Sequence, residues 1–291
     1  MKNASSIFDL FSQYGITIDD KYRISIEERL NEILNYQPSV GVFGKTGVGK
    51  SSLCNAMFGQ DACKISDVAA CTREPQEVIL SMGTNGIKLL DVPGVGENAE
   101  RDKEYAALYQ KLLPELDIVL WVLKGDDRAF SSDELFYKNI VKPYIDKGRP
   151  FFMVINQVDK IEPFREWNVE ERRPGANQAN KIDEKRRNVA EIFDLPLTKV
   201  IPVSADERFG LVELVDSIVH ELPKEKKAIV LNETRQENRS HKAKEEAKDG
   251  FWDTIIDIVT DIIPVGPVVK SIISAGKSLI SSAVSKIFSW W

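Results

Sequence analysis

The chain has 291 residues, 43% of them hydrophobic, with 39 Lys and Arg against 45 Asp and Glu and a net charge of −6 at pH 7. This is enough for one large domain with appendages, and the acidic balance argues against nucleic acid gripped by the whole surface. The three cysteines, Cys54, Cys63 and Cys71, form no C-x-x-C pair, so they indicate neither a disulfide framework nor a zinc site and suit a cytoplasmic compartment.

The N-terminus is too polar for a secretory signal, and no uncharged apolar run nears the ~18–20 residues of a membrane-spanning helix. Residues 1–37 read as a helical lead-in. ISIEERLNEILNY spaces its apolar residues helically, and Pro38 ends the pattern. Residues 38–222 then alternate short apolar runs with helical stretches. The strands expected are SVGVF (39–43), EVILSM (77–82), IKLLDV (87–92), DIVLWVL (117–123), FFMVIN (151–156) and KVIPVS (199–204). Helices are expected over 50–58, 101–113, 131–147, 178–193 and 210–222. Near-continuous Val, Ile and Leu suit parallel strands covered on both faces. The alternation gives an α/β fold, a mostly parallel six-stranded sheet flanked by helices.

Residues 223–250 mix charges of both signs and read as a solvated linker or exposed helix. Residues 251–291 change character, with two helical patterns flanking Pro264 and Pro267. In the first, Asp253, Asp257 and Asp261 form an acidic stripe opposite Trp252, Ile255, Ile256, Val259, Ile262 and Ile263. In the second, apolar residues from Val269 to Trp290 face Lys270, Lys277 and a row of serines. Leaving these side chains wet would forfeit well over ~10 kcal/mol, so something must cover them. Three covers compete: the chain's own N-terminal helices around Ile7, Leu10 and Phe11, a membrane surface suited to the Trp290-Trp291 end, or a partner subunit. His220 and His241 are isolated and read as ordinary helix or linker positions.

Between the first strand and the first helix of the alternating region stands Gly44-Lys45-Thr46-Gly47-Val48-Gly49-Lys50-Ser51-Ser52, which matches G-x-x-x-x-G-K-[ST]. Glycines let successive N–H groups turn inward on phosphate oxygens, and the following helix adds its positive end. Lys50 would reach the β- and γ-phosphates, and the Ser51 hydroxyl would ligate Mg²⁺. The base is read further along, at Asn156-Gln157-Val158-Asp159 after FFMVIN. An aspartate there can accept from guanine N1–H and the N2 amine, whereas adenine offers a lone pair at N1.

With these motifs in order the chain resembles a P-loop GTPase. The remaining motifs are Thr72 in Cys71-Thr72-Arg73, Asp91-Val92-Pro93-Gly94, and Val203-Ser204-Ala205. Within that superfamily it resembles the Era-like branch, and in length and appendage the small bacterial YfjP-type GTPases. The resemblance covers about 38–222. It implies GTP and GDP as ligands and Mg²⁺ held by Ser51 and Thr72, with Asp91 acting through a water. It also implies that the Gly94 N–H senses the γ-phosphate, that Asn156 braces the loops, and that a backbone N–H around Ser204 and Ala205 meets guanine O6.

Three residues depart from the pattern. Gln157 stands for a lysine whose stem covers the base, which implies weaker affinity. Gly47 stands where potassium-dependent relatives carry asparagine. Val95, after D-x-x-G, cannot orient a water as the glutamine of Ras-like proteins does. Catalysis therefore falls to Lys50, Thr72, Gly94 and Mg²⁺, with slow intrinsic turnover that an activating partner or nucleotide-dependent self-association would speed. Arg73, Glu97, Asp126, Asp127 and Arg128 could each reach the site from a loop, against the plainer reading of each as a solvated loop charge.

The expected product is a GTP-hydrolysing switch. It would divide into a helical segment (1–37), a GTPase domain (38–222), a charged linker or helix (223–250) and an amphipathic tail (251–291). It would be cytoplasmic, and peripheral to the inner face of the membrane where the tail serves as an anchor. The competing roles are a soluble ribosome or RNA-assembly GTPase and a structural oligomer with little turnover. No G-x-x-G with a basic helix follows residue 222, so RNA binding is not indicated.

Overall fold

The computed structural model describes residues 4–59, 76–80, 87–91, 106–107, 109–263, 266, 269 and 271–272, with backbone alone for 76–80 and 87–91. The expected positions Thr72, Arg73, Gly94, Val95 and Glu97 lie outside the described residues. The chain forms two units, one built on residues 39–218 and the other on the residues before 39 and after 218.

Two helices come first, α1 (Ser5–Gln13) and α2 (Asp20–Leu34), the second capped by Asp19, which accepts the Lys21 N–H. The sheet unit then runs β1 (Ser39–Phe43), α3 (Lys50–Phe58), β2 (Gln76–Leu80), β3 (Ile87–Asp91), β4 (Ile118–Lys124), α4 (Ser131–Phe136), α5 (Lys142–Ile145), β5 (Phe151–Asn156), α6 (Ala176–Phe193), β6 (Val200–Pro202) and α7 (Leu211–Glu221). The strand order is β2-β3-β1-β4-β5-β6. β1 lies parallel to β3 and β4, and β5 parallel to β4 and β6, while β2 runs antiparallel to β3. β1 and β5 are buried along their whole length and β4 to its last residue, as strands sandwiched on both faces must be. Phe43 stacks on Trp121 at 6.0 Å, and Tyr109 meets Phe136 edge-on at 4.7 Å beside them.

The expected strand over 151–156 and helix over 50–58 coincide with β5 and α3. The helix expected over 131–147 is instead three pieces, with a π turn (Tyr137–Val141) joining α4 to α5. Pro143 explains the break: it has no N–H for the carbonyl four residues back and would clash with it, so the chain widens just before the proline.

The helical unit corrects the reading of the C-terminal third. Of the two forms expected for 223–250, linker or exposed helix, the run is largely helical, but its helices are not exposed all round. It holds α8 (Lys224–Glu233), in which Ala228, Ile229, Val230 and Leu231 are buried, and the start of α9 (His241–Ile262). The boundary expected at 250/251 falls inside α9, so no division exists there. α8 and α9 pack on each other and on α2. Some of the charges that suggested a linker are buried, Glu233 and Lys248 among them, and others pair along the helix surfaces. Glu246 takes Lys227 and His220, Asp257 takes Lys224, and Asp261 takes Arg29 at 3.2 Å. The acidic stripe Asp253, Asp257 and Asp261 is exposed, and Trp252, Ile255, Val259 and Ile263 on the other side are buried. For residues 251–263 the cover is therefore the chain's own helices, and Ile7 and Phe11 of α1 are buried in the same unit. Among the described residues no helix is long and apolar enough to cross a membrane.

Candidate functional site

Parallel pairing sends the loops after β1, β4, β5 and β6 to one edge of the sheet, the carboxyl edge where α/β folds place ligands. β3 ends there too, since Val42 is in register with Asp91.

The loop after β1 owes its path to glycine. Gly44 has φ +135°, and a Cβ on it would stand 2.2 Å from the Val122 carbonyl oxygen. Gly49 has φ +86°, with a Cβ position 2.5 Å from Asn156 Nδ2. Gly49 also starts α3, and no side chain caps that helix, so its first turn is open to an anion. Lys50 Nζ donates back to the carbonyls of Gly44 (2.9 Å) and Lys45 (3.3 Å). Val48 is buried, Ser51 half-buried, and Thr46, Gly47 and Ser52 are exposed.

The Lys45 ammonium lies 2.7 Å from Asp133 Oδ2 and 3.8 Å from Asp127 and donates to the Ala129 carbonyl at 3.0 Å. Asp133 is fully buried, and Trp121 Nε1 donates to its other oxygen at 3.3 Å. Burial pushes the Asp133 carboxyl up, against the pull of Lys45 and Trp121. Asp127 accepts the Ala129 N–H, Asp126 pairs with Lys124, and Arg128 is exposed, so these three loop charges are occupied locally or solvated.

Asn156, buried at the end of β5, joins three loops. Its Nδ2 donates to the carbonyls of Val48 (2.9 Å) and Gly49 (3.3 Å), and its Oδ1 accepts the Ala205 N–H (3.1 Å). The Ala205 N–H is thus spent on bracing rather than held for guanine O6. Gln157 sits in the left-handed region at φ 61° and donates from Nε2 to the Gly47 carbonyl at 3.1 Å. Ser204, also buried, accepts the Glu207 N–H and exchanges main-chain bonds with Phe209, closing the loop after β6. Asp159 is half-buried, and its Oδ1 is out of solvent with no hydrogen-bond partner.

The structure thus gathers 44–52, 156–159 and 204–205 at one edge, with the Asp91 backbone beside them. Two supporting residues escaped the sequence reading, Asp133 and Gln178. Each stands among other polar residues of its helix, with no spacing pattern to mark it.

The family described as 50S ribosome-binding GTPase matches residues 39–157. The chain is 37% identical over 270 residues to the uncharacterized protein YfjP of Escherichia coli (strain K12), covering 91% of each. To YkfA of the same organism it is 37% identical over 267 residues, again 91% of each. To the GTPase Era of Aquifex aeolicus (strain VF5) it is 30% identical over 188 residues, 63% of this chain and 56% of Era. The glycine-shaped loop that opens α3 and its tie to Asn156 both lie within the matched residues, and the chain belongs with these relatives to the Era-like P-loop GTPases, enzymes that bind guanine nucleotide and hydrolyse GTP.

Proposed function

We propose that these loops form one site for GTP and Mg²⁺ and that hydrolysis there resets a molecular switch. The observation that carries this is the pairing of Asn156, which locks the phosphate and base loops together, with the partnerless Asp159 Oδ1 beside it. An unpaired buried acceptor costs ~1–3 kcal/mol, which a donating ligand returns. Guanine brings adjacent donors at N1 and N2. Adenine would set a lone pair against the carboxylate.

In this reading the α3 N-terminus and the loop N–H groups hold the phosphates, and Lys50 gives up two loop carbonyls for β- and γ-phosphate oxygens. Mg²⁺ would rest on the Ser51 hydroxyl, Thr72 and, through water, Asp91, where it neutralises charge on the phosphates. Hydroxyls and a water-bridged carboxylate suit Mg²⁺, which takes few protein oxygens and several from phosphate and water. Thr72 and Gly94 would release their loops when the γ-phosphate leaves, which is the switch. With Val95 unable to orient the attacking water, turnover is slow until a protein partner or a second copy assists.

Asp159→Asn tests the base assignment. An amide donates to the C2 carbonyl of xanthine, so GTP affinity falls by at least ~100-fold and turnover of xanthosine triphosphate appears. A variant that still prefers GTP over xanthosine triphosphate places base recognition elsewhere. Membrane attachment has only 264–291 to rest on, because the apolar side of 251–263 is buried within the helical unit. Vesicle pelleting that vanishes when the chain ends at 263 supports attachment, and a protein that stays in the supernatant refutes it.

A further inference from the structure

We propose that Gln178 is the positioning residue that fixes Asp159 in the plane guanine requires. This rests on Asp159 as the guanine reader. Gln178 is the third residue of α6 (Ala176–Phe193) and is 0% exposed. Its Nε2 donates to two main-chain carbonyls, Asp159 at 2.9 Å and Ile161 at 2.9 Å. One planar amide thus clasps the chain on both sides of Lys160, in and just after the 3-10 turn Val158–Lys160 that presents the Asp159 carboxylate. The other supports of that turn come from the sheet side or from within it. The Val158 N–H bonds to Val203 at 3.2 Å, Lys160 to Gln157 at 3.1 Å, and Ile161 to Val158 at 3.1 Å.

The cost of this arrangement shows that the donor end is what the position uses. Gln178 Oε1 is buried with no partner, an expense that an apolar residue of the same length would avoid. The helix turn that carries the amide is held from outside through its main chain. Glu166 Oε2 accepts the N–H groups of Asn177 (3.0 Å) and Gln178 (3.3 Å), and Oε1 accepts Asn177 Nδ2 (2.7 Å), which pins the first turn of α6. Gly175 completes the fit, since a Cβ there would stand 2.9 Å from the Glu166 carbonyl oxygen. The chain of support therefore runs from Glu166 to the α6 N-terminus, to Gln178, and to the turn that carries Asp159.

A carboxylate gripping two neighbouring donors is sensitive to angle. A single donor tolerates rotation that a pair does not. GDP presents both donors to Asp159. Inosine diphosphate lacks the N2 amine and presents only N1–H. The ratio of the two affinities therefore reads the carboxylate's orientation, and a general loss of folding or of phosphate binding leaves that ratio alone.

The experiment measures GDP and inosine diphosphate affinities by calorimetry on the full chain, with GTP turnover alongside. The parent binds GDP about 10- to 100-fold tighter than inosine diphosphate. Gln178→Met keeps length and volume without the donor. GDP binding weakens about tenfold, inosine diphosphate binding much less, and the ratio collapses. KM for GTP rises while kcat holds, because Gln178 touches no phosphate-loop residue among the described ones. If Gln178→Met does not fold, Glu166→Ala decides, with a loss of ratio of about two- to fivefold in the same direction. An unchanged ratio in the folded variant overturns the proposal. A parent that binds both nucleotides alike overturns the guanine role of Asp159 itself, and the inference falls with it.

Discussion

The phosphate loop is shaped from within: Gly44 and Gly49 hold positive φ angles that other residues avoid, and the space beside each is filled by Val122 or Asn156. The base loop is shaped from without. Of its residues 156–161, Gln157 alone takes a left-handed conformation, and the turn stands where Gln178, Val203 and Ala205 hold it. The first kind of loop carries its geometry in its own sequence and tolerates little change in place. The second can be altered at a distance, by residues that no motif contains.

Substitution inside the first loop should have the largest effect. Gly44→Ala puts a methyl group 2.2 Å from a strand carbonyl at φ +135°. A stability loss of ~3 kcal/mol or more is expected, with loss of GDP binding, read by urea unfolding and calorimetry. A stable, nucleotide-binding variant would show that the loop is not self-shaped.

A second tie runs outward from the phosphate loop, through Lys45, beside those it receives from Asn156 and Gln157. Lys45→Met strands the buried Asp133 carboxylate, at a cost of about 3 kcal/mol where that group is ionised. Folding already raises the Asp133 pKa from 3.8 by burial, and losing Lys45 raises it further. A raised carboxyl gives stability that is complete below its unfolded value and lost as pH climbs through the folded one. The deficit of the variant against the parent is therefore smaller at pH 5 than at pH 8. Urea midpoints at both pH values check this, and a deficit independent of pH would mean that Lys45 serves by packing alone.

The smallest effect is expected where the two loops touch through an exposed group. Gln157→Ala removes one hydrogen bond to the Gly47 carbonyl, and GDP binding should weaken by about two- to fivefold. A loss of a hundredfold would mean that the loops depend on this direct tie and not on Asn156.

Much of this site was legible before the fold. Gly44 through Ser52 and Asn156 through Asp159 announce themselves because main-chain turns and base recognition need particular residues at fixed spacing. The helical unit was less legible. KEKKAIVLNE reads as charged because six of its residues are polar, yet the four apolar ones between them sit wholly inside the unit. The first tail pattern was read correctly as two-faced, but its spacing could not say what lies against Trp252 and Ile255.

Sequence by itself determined the alternating α/β order and the glycine-rich loop after β1, and it marked 156–159 as the candidate base loop, because each rests on local rules of period, φ angle or hydrogen-bonding type. Tertiary structure alone decided that Lys45 turns to Asp133, that Gln178 reaches the carbonyls of Asp159 and Ile161, and that α2, α8 and α9 cover one another. Those contacts join residues 17 to more than 200 positions apart. No local pattern encodes such a pairing, and only the packed chain brings the partners within hydrogen-bond reach.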